Sequence, residues 1–379
     1  MEVFSNITTI FQNTTNIILF AKQLGMWLIG AVLIFLAIKK QMEPTLLLPI
    51  GFGAILMNIP NYSGSAGISE VLGTLYSAGI ANELFPLLLF IGIGAMIDFG
   101  PILSNPKLMI FGAAAQFGIF MTLTLASIFF PLTDAASIAI IGAADGPTSI
   151  VVATQLAPHL LGPITVAAYS YMALVPVVQP PVIKLFTTKN ERRIKMPYNP
   201  QSVSKLTRIL FPILVTIITG LIAPGAAALI GFLMFGNLIR ECGVLDSLSD
   251  TAQKVLANLI TLLLGITVAF TMTANEFLSL GTLLILGLGL FAFVFDTMGG
   301  VLIAKLFNLF LPNGKKINPM IGAAGISAFP MSARIVHKMG QDEDKQNFLL
   351  MHAVGANVSG QIASVIAGGL ILNFFAMVV

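Results

Sequence analysis

The chain has 379 residues, of which 56% are hydrophobic and only 9% are Asp, Glu, Lys or Arg, whereas a soluble domain carries about 25% charged residues. These few charges cannot cover a water-exposed surface, and the mean hydropathy is +0.94. The composition therefore excludes a soluble protein and indicates a polytopic membrane protein. The single cysteine excludes a disulfide framework, no HExxH or GxxxxGK[ST] motif is present, and the net charge of +3 does not suggest a nucleic-acid partner.

Apolar segments fill most of the chain. Residues 1–22 are predicted to be a tail or an interfacial helix, and all later segments are predicted to be helical because lipid offers no partner to an open strand edge. The segments are 24–38, 45–60, 84–104, 108–130, 137–157, 162–184, 206–223, 225–240, 255–272, 278–304, 317–333 and 347–376. Polar breaks separate them, among which are 61–83, 184–208 and 334–347.

The distribution of Lys and Arg predicts the topology. The break 184–208 is the richest in these residues and must be cytoplasmic. If 137–157 crossed the membrane fully, the break 184–208 would lie outside, and the charges after 317–333 raise the same conflict. Both conflicts disappear if 137–157 and 317–333 each enter the membrane and return to the same side. With both segments re-entrant, 18 of the 19 Lys and Arg residues lie inside and only Lys22 lies outside.

This topology divides the chain into two halves of one design. Each half has four spans, a re-entrant segment and a fifth span, and because five is odd the second half is inverted. The tetrapeptide Ile-Gly-Ala-Ala opens both re-entrant segments, at 141–144 and 321–324. We therefore predict an all-α fold of two inverted repeats, 23–188 and 206–379, joined by the basic cytoplasmic linker 189–205. Inverted repeats with broken helices are typical of ion-coupled transporters.

The first re-entrant segment contains one carboxylate, Asp145, within Gly-Ala-Ala-Asp-Gly-Pro-Thr-Ser. A carboxylate inside the membrane costs about 3 kcal/mol or more unless it is paired, protonated or ion-bound. The Gly-Pro pair breaks the helix and frees carbonyls, and the next two residues add hydroxyls, so the segment offers the oxygen ligands that a hard cation takes. The predicted guest is Na⁺ or a proton, and the alternative is an ordinary helix N-cap.

Polar residues in later segments are candidates for the same pathway. Asn318 and Ser327 lie in the second re-entrant segment, which Arg334 ends; the alternatives are an ordinary turn and a serine bonded to its own helix. Asn357, in the last span, is either an ion ligand or an amide that bonds two helices. Tyr171 is either a proton relay or gate, or an interfacial aromatic.

Four more acidic residues lie near the ends of apolar runs or within them. For Asp98 and Asp296 the sequence favours structural pairing or capping over transport. Asp134 and Glu276 fall at predicted outer ends, where we expect them to be solvated.

Four stretches, in this order and spacing, resemble the β subunit of the sodium-pumping biotin-dependent decarboxylases. They are IGAADGPTSI, AAYSYMALVPVVQPP, INPMIGAAGISAFPMSAR and LLMHAVGANVSG. The family comprises the oxaloacetate, methylmalonyl-CoA, glutaconyl-CoA and malonate-type enzymes, and the resemblance extends from about residue 20 to the end.

The resemblance implies a membrane subunit that decarboxylates carboxybiotin on a separate biotin carrier protein and couples this to Na⁺ export with uptake of an external proton. It also implies a carboxyltransferase α subunit, a small membrane γ or δ subunit, a homo-oligomer within the complex, and a bacterial or archaeal cytoplasmic membrane. By matching positions, it assigns Na⁺ binding to Asp145 and Asn357, catalysis to Asp145, Tyr171, Ser327 and Arg334, and cofactor contacts to Asn318, Gly322 and Arg334.

The residues themselves agree with these roles. A cationic Arg334 suits the carboxylate of carboxybiotin, and no biotinyl-lysine sequence is present, so biotin must arrive on another subunit, for which the 184–208 loop is a candidate dock. The alternative is a secondary Na⁺-coupled organic-anion transporter with inverted repeats. A non-catalytic scaffold is disfavoured by Asp145.

Overall fold

The computed structural model describes residues 14–41, 43–60, 67–197, 203–312 and 314–375. Within these ranges all regular secondary structure is helical. Six helices are long and apolar enough to cross a membrane, or eight if each of two bent pairs counts as one span. The predicted all-α polytopic fold is thereby confirmed. Most of the predicted tail, up to residue 13, lies outside the described residues, and the first helix begins at Thr14.

The helices of the first half carry both bent pairs. In chain order they are α1 (Thr14–Lys39), α2 (Pro44–Met57), α3 (Ile68–Gly79), α4 (Leu84–Met96), α5 (Gly100–Ser104), α6 (Met109–Ala115), α7 (Phe117–Ala126), α8 (Leu132–Ala139), α9 (Gly146–Leu156) and α10 (Leu161–Phe186).

The helices of the second half follow a short linker helix. They are α11 (Lys189–Arg192), α12 (Lys205–Ile222), α13 (Ala227–Glu241), α14 (Asp246–Asp250), α15 (Ala257–Val268), α16 (Ala274–Phe277), α17 (Leu280–Phe310), α18 (Met320–Ala323), α19 (Met331–Glu343) and α20 (Leu350–Phe375).

Two of the predicted polar breaks contain helices that the apolar runs did not indicate. The break 61–83 contains α3, which is bent by 60° relative to α4. The break 334–347 is largely occupied by α19, whose Ala333, Val336 and Gly340 are buried on one face. Charged residues on the other face lower the mean hydropathy, so a scan for apolar runs misses an amphipathic helix of this kind.

Helices of one half pack on helices of the other half that are not their own equivalents. Helix α2 packs on α15 and α13 packs on α4, while α10 packs on α17 and α20 packs on α6. The crossing of α4 and α13 is so close that a Cβ atom at Gly94 would lie 1.8 Å from Leu233 O, and one at Gly236 would lie 2.0 Å from Ile91 O. Only glycine therefore allows these backbones to touch.

The two ends of each broken segment lie close together in the fold. Asp134, at the start of α8, lies with its Oδ2 3.2 Å from Nε2 of His159, just beyond α9. Asp134 is only 8% exposed, so the expectation that it is solvated is wrong. In the second half, Asn318 and Asn347 flank α18 and α19, and both donate to the carbonyl of Arg192, at 2.8 and 3.0 Å.

A cluster at one end of α4, α12 and α13 explains Asp98. Its Oδ1 accepts a hydrogen bond from Gly100 N at 2.8 Å and lies 3.5 Å from Arg208, which also pairs with Glu241 at 3.4 Å. The predicted pairing and capping role of Asp98 is confirmed.

Candidate ion-binding site at two helix breaks

The first break is a change of backbone direction in the middle of the fold. A 3₁₀ turn follows α8, Ala144 adopts a left-handed conformation (φ 52°), Asp145 is extended, and α9 begins at Gly146. Pro147 occupies the first turn of α9, where its missing N–H costs nothing. A proline also disfavours helical backbone in the residue that precedes it. The helix therefore has to restart at this point, which turns the Asp145 side chain into the protein, where it is only 2% exposed.

Asp145 is held by neutral donors. Its Oδ2 accepts hydrogen bonds from Thr148 Oγ1 at 2.7 Å, Gln361 Nε2 at 2.9 Å and Ser364 Oγ at 3.0 Å. Asp145 occupies the N-cap position of α9, and its Oδ2 is bonded by side chains from α20 as well as from α9; ion binding and the N-cap alternative both stay predictions. None of the salt bridges in the described part of the chain involves it.

Asn357 lies on the same face of α20 as the donors to Asp145, because residues four and seven apart share a helix face. It is fully buried, and its Nδ2 donates to Ile326 O at 2.6 Å. Its Oδ1 is buried without a hydrogen-bond partner among the described residues. An amide that donates through nitrogen and leaves its oxygen free has the orientation of a neutral cation ligand.

The second break, between α18 and α19, lies against the same stretch of α20. Ser327 Oγ donates to Gly360 O at 2.9 Å. A Cβ atom at Gly360 would lie 2.0 Å from Gly325 O, so α20 and the second break are in backbone contact. The structure thus brings Asp145, Ser327 and Asn357 together along about two turns of α20, although they come from three segments.

Two predicted cofactor contacts are occupied by the protein itself. A Cβ atom at Gly322 would lie 1.9 Å from Gly300 O, so this glycine allows α18 to touch α17. Asn318 Nδ2 donates to the carbonyls of Arg192 and Ile194, at 2.8 and 2.9 Å. Both residues therefore fasten the second broken segment, and their contact with a cofactor stays a prediction.

The two tyrosines of α10 lie in different places, and the first break contacts Tyr169 instead of the predicted Tyr171. Tyr171, the predicted one, donates its hydroxyl to Leu286 O and places its ring beside Gly289. Tyr169 is the tyrosine at the first break: a Cβ atom at Gly146 would lie 2.1 Å from its ring, and its buried hydroxyl has no partner among the described residues. Sequence reasoning missed Tyr169 because residues two apart point to different sides of a helix, and only the packing of α9 on α10 shows which side matters.

Gln179 was also missed as a site residue. Its Nε2 donates to Ala323 O at 2.8 Å and lies 2.8 Å from Ser332 Oγ, so it joins both limbs of the second broken segment. Gln361 holds the first break through its hydrogen bond to Asp145. Each break is thus held by a glutamine from the last helix of the other half, a relation that no single-segment pattern could reveal.

Arg334 lies at the opposite end of the second break from Asn357. It is exposed on α19 and forms no ion pair within the described ranges. One helical turn further along α19 begins a cavity of about 390 Å³ between α10 and α19. The residues that line it are Pro176, Pro180, Lys184, Ile335, Lys338, Met339, Asp342 and Glu343.

The fold and the site define a polytopic helical membrane protein in which two broken segments meet at a buried carboxylate and a free amide oxygen. Residues 22–375 match the family described as "Na+-transporting oxaloacetate decarboxylase beta subunit", and the chain belongs to this family. The resemblance in the four sequence stretches is thereby confirmed, and a plain organic-anion transporter is not supported.

Curated relatives span nearly the same length. The chain is 52% identical over 348 residues to methylmalonyl-CoA decarboxylase subunit beta of Veillonella parvula, covering 92% of this chain and 91% of the relative. It is 50% identical over 350 residues to glutaconyl-CoA decarboxylase subunit beta of Acidaminococcus fermentans, covering 92% of each. It is 45% identical over 415 residues to the oxaloacetate decarboxylase beta chain of Klebsiella pneumoniae, covering 93% of this chain and 95% of the relative.

Proposed function

We propose that this chain removes CO₂ from carboxybiotin carried by a partner protein and couples the reaction to export of Na⁺ and uptake of an external proton. In the chemical step the N–CO₂⁻ bond of the ureido ring breaks, CO₂ leaves, and the ring nitrogen takes a proton. Membership of the family and the buried carboxylate at Asp145 support this function. The acyl substrate is selected by the α subunit of the complex.

The Na⁺ that is exported would bind between the two breaks. Asp145 supplies the negative charge, and Asn357 Oδ1 and the hydroxyls of Ser364 and Thr148 supply neutral oxygens. Moving one charge against 100 mV costs about 2.3 kcal/mol, so the ion must be prevented from slipping back. A single carboxylate that holds either Na⁺ or a proton meets this need, because protonation neutralises the ligand and releases the ion.

Carboxybiotin would enter through the cavity between α10 and α19. A volume of about 390 Å³ lies within the range of small-molecule sites, and Lys184, Lys338 and the nearby Arg334 provide positive charge for the carboxylate. Glu343 also lines the cavity, but its carboxylate is paired with Arg192 at 2.7 Å. The biotin carrier would dock on the adjoining basic linker.

The two halves would be inverted repeats, each with five spans and one re-entrant segment. The packing of helices on non-equivalent helices of the other half, the meeting of both ends of each broken segment, and the glutamine clamps from the opposite half all support this arrangement. We extend the proposal to a bacterial or archaeal cytoplasmic membrane and to a complex with α, γ or δ and biotin carrier subunits, in which the chain is itself oligomeric.

The test is Asp145→Asn in the reconstituted complex. Because the amide cannot exchange Na⁺ for a proton, both Na⁺ transport and Na⁺-stimulated decarboxylation should be lost. Asp98→Asn is the matched control, since Asp98 is a half-exposed carboxylate that is paired with Arg208 outside the site and should keep both activities. A normal Na⁺-dependent rate in Asp145→Asn would contradict the proposal, as would biotin-independent Na⁺ efflux from vesicles that lack the carrier.

A further inference from the structure

The middle of α17 contains a second buried carboxyl group that the proposed function does not use. Asp296 is 1% exposed, and neither of its oxygens has a hydrogen-bond partner among the described residues. The sequence favours pairing or capping for Asp296; no ion pair of the described residues includes it, and its carboxyl group lies beside the first turn of α7. An isolated carboxylate in such a place is among the most costly arrangements in a membrane protein.

The two oxygens of Asp296 face two elements of the pathway. A Cβ atom at Gly118 would lie 2.1 Å from Oδ1, and one at Gly142 would lie 3.1 Å from Oδ2. Gly118 belongs to the first turn of α7, and Gly142 belongs to the 3₁₀ turn of the first break, three residues before Asp145. Asp296 therefore contacts the broken segment that carries the proposed Na⁺ site.

The surroundings of Asp296 suit a proton better than a metal ion. The N–H groups of Gly118 and Ile119 lie beside its carboxyl group without a hydrogen bond of normal geometry, and N–H groups cannot be ligands of Na⁺. The other atoms in contact at these two glycines are Ala292 Cβ, Ile119 N and one carbonyl oxygen, Ala292 O, whereas a hard cation takes several oxygen ligands. A proton neutralises the group without any ligand shell.

Other titratable groups on the surrounding elements are distant or engaged. On α17, Lys305 pairs with Glu191 at 3.2 Å, and on α8, Asp134 contacts His159. Lys107 precedes α6 at its far end. The two groups that remain nearby in the fold are Asp145 and Tyr171, whose ring contacts Gly289 on the same face of α17 as Ala292 and Asp296.

We propose that Asp296 stores the proton that decarboxylation consumes, while Na⁺ occupies Asp145. The inference rests on the proposed function, in which Asp145 is ionised whenever Na⁺ is bound and so has no proton to give. The ureido nitrogen needs its proton in that same state. A second carboxyl group, placed against the same break, supplies it, and the proton that Asp145 gives up when the next Na⁺ binds reloads it.

The experiment compares Asp296→Asn and Asp296→Glu in the whole reconstituted complex. Proton transfer by a positioned group contributes about 10²–10⁴-fold, so turnover in the Asn variant should fall by about 10²-fold or more. The Glu variant keeps a carboxyl group and should retain more activity than Asn. A packing role predicts the reverse order, because Asn has the shape of Asp whereas Glu overfills the contact with Gly118.

Binding of Na⁺ separates this proposal from the function on which it rests. Stabilisation of the complex by NaCl against thermal unfolding, which measures binding to the folded state, should be unchanged in Asp296→Asn and lost in Asp145→Asn. Loss of the Na⁺ effect in Asp296→Asn would place Asp296 in the Na⁺ site and overturn the proposal, as would normal turnover. A wild-type measurement needs no variant: the infrared spectrum of the Na⁺-saturated complex at neutral pH should show a carboxylic-acid C=O band, and its absence would also overturn the proposal.

Discussion

At Asp145, three uncharged side chains hold a carboxylate that has no counter-charge in the described structure. Desolvation disfavours the ionised form and the hydrogen bonds favour it, so the site is balanced between accepting a cation and accepting a proton. Neither oxygen of Asp296 has a hydrogen-bond partner among the described residues. The two carboxyl groups at one helix break thus have different neighbours, which is why we propose different roles for them.

Arg334 is expected to act on carboxybiotin and not on Na⁺. Arg334→Lys keeps the positive charge but loses the planar pair of donors that matches a carboxylate, so decarboxylation should slow at an unchanged half-saturating Na⁺ concentration. The measurement is the rate of decarboxylation against Na⁺ concentration. Lys254→Arg is the control and should change neither quantity greatly, because Lys254 is an exposed residue paired with Asp250 and does not line the cavity. A higher Na⁺ requirement with a normal maximal rate would reverse the assignment.

The sequence predicts some of these residues and not others, for physical reasons. Asp145 stands out because a Gly-Pro pair breaks the helix directly after a carboxylate. Its partners Gln361 and Ser364 lie 216 and 219 residues away, and no local pattern links them to it. Asp296 has no hydrogen-bond partner because of the backbone that packs against it, and the sequence does not show which backbone that is.

Among the elements, the amphipathic α19 joins the second break to the basic linker. Its last residue, Glu343, pairs with Arg192 at 2.7 Å, and the two side chains are 14% and 12% exposed. The hydrogen bonds and charge of Arg192 hold the pKa of Glu343 below its usual value. A lowered pKa means that the pair stabilises the folded protein above the unfolded pKa and that this contribution is lost as the pH falls through the folded pKa.

Glu343→Gln should therefore weaken docking of the linker on α19. A hydrogen bond to a charged group contributes about 1.5–3 kcal/mol, so local opening of the linker, measured by its rate of proteolysis at neutral pH, should increase by the corresponding factor. The wild type should approach the variant only at acid pH. Asp250→Asn is the control, because its pair with Lys254 is 64% and 69% exposed and such pairs contribute about 0.3–0.5 kcal/mol. Equal proteolysis of wild type and Glu343→Gln at neutral pH would show that the pair does not hold the linker.

Over the whole molecule, the Lys and Arg pattern predicts that both broken segments return to their own side. The contact Asp134–His159 and the contacts of Asn318 and Asn347 with Arg192 bring the two ends of each segment close together, which is compatible with that prediction. The number of crossings was harder to predict from sequence, since helices such as α2 and α13 have only 14 and 15 residues. Short helices of this kind are within the apolar runs but below the usual length of a span.

The topology can be tested with single cysteines in a Cys242→Ser background. A cysteine at His159 should react with a membrane-impermeant thiol reagent added outside, and one at Lys338 should react only from inside. Both positions are exposed at their ends of the broken segments, so access is not limited by burial. Labelling of position 159 from the inside would disprove the inverted arrangement.

The long separation between Asp145 and its partners also matters during synthesis. At roughly 5–20 residues per second, a ribosome needs about 10–40 s to add the 216 residues between Asp145 and Gln361. For that interval Asp145 has only Thr148 of its three donors, because Gln361 and Ser364 have not yet been translated. The first break therefore cannot complete its hydrogen bonds until nearly the whole chain has been made.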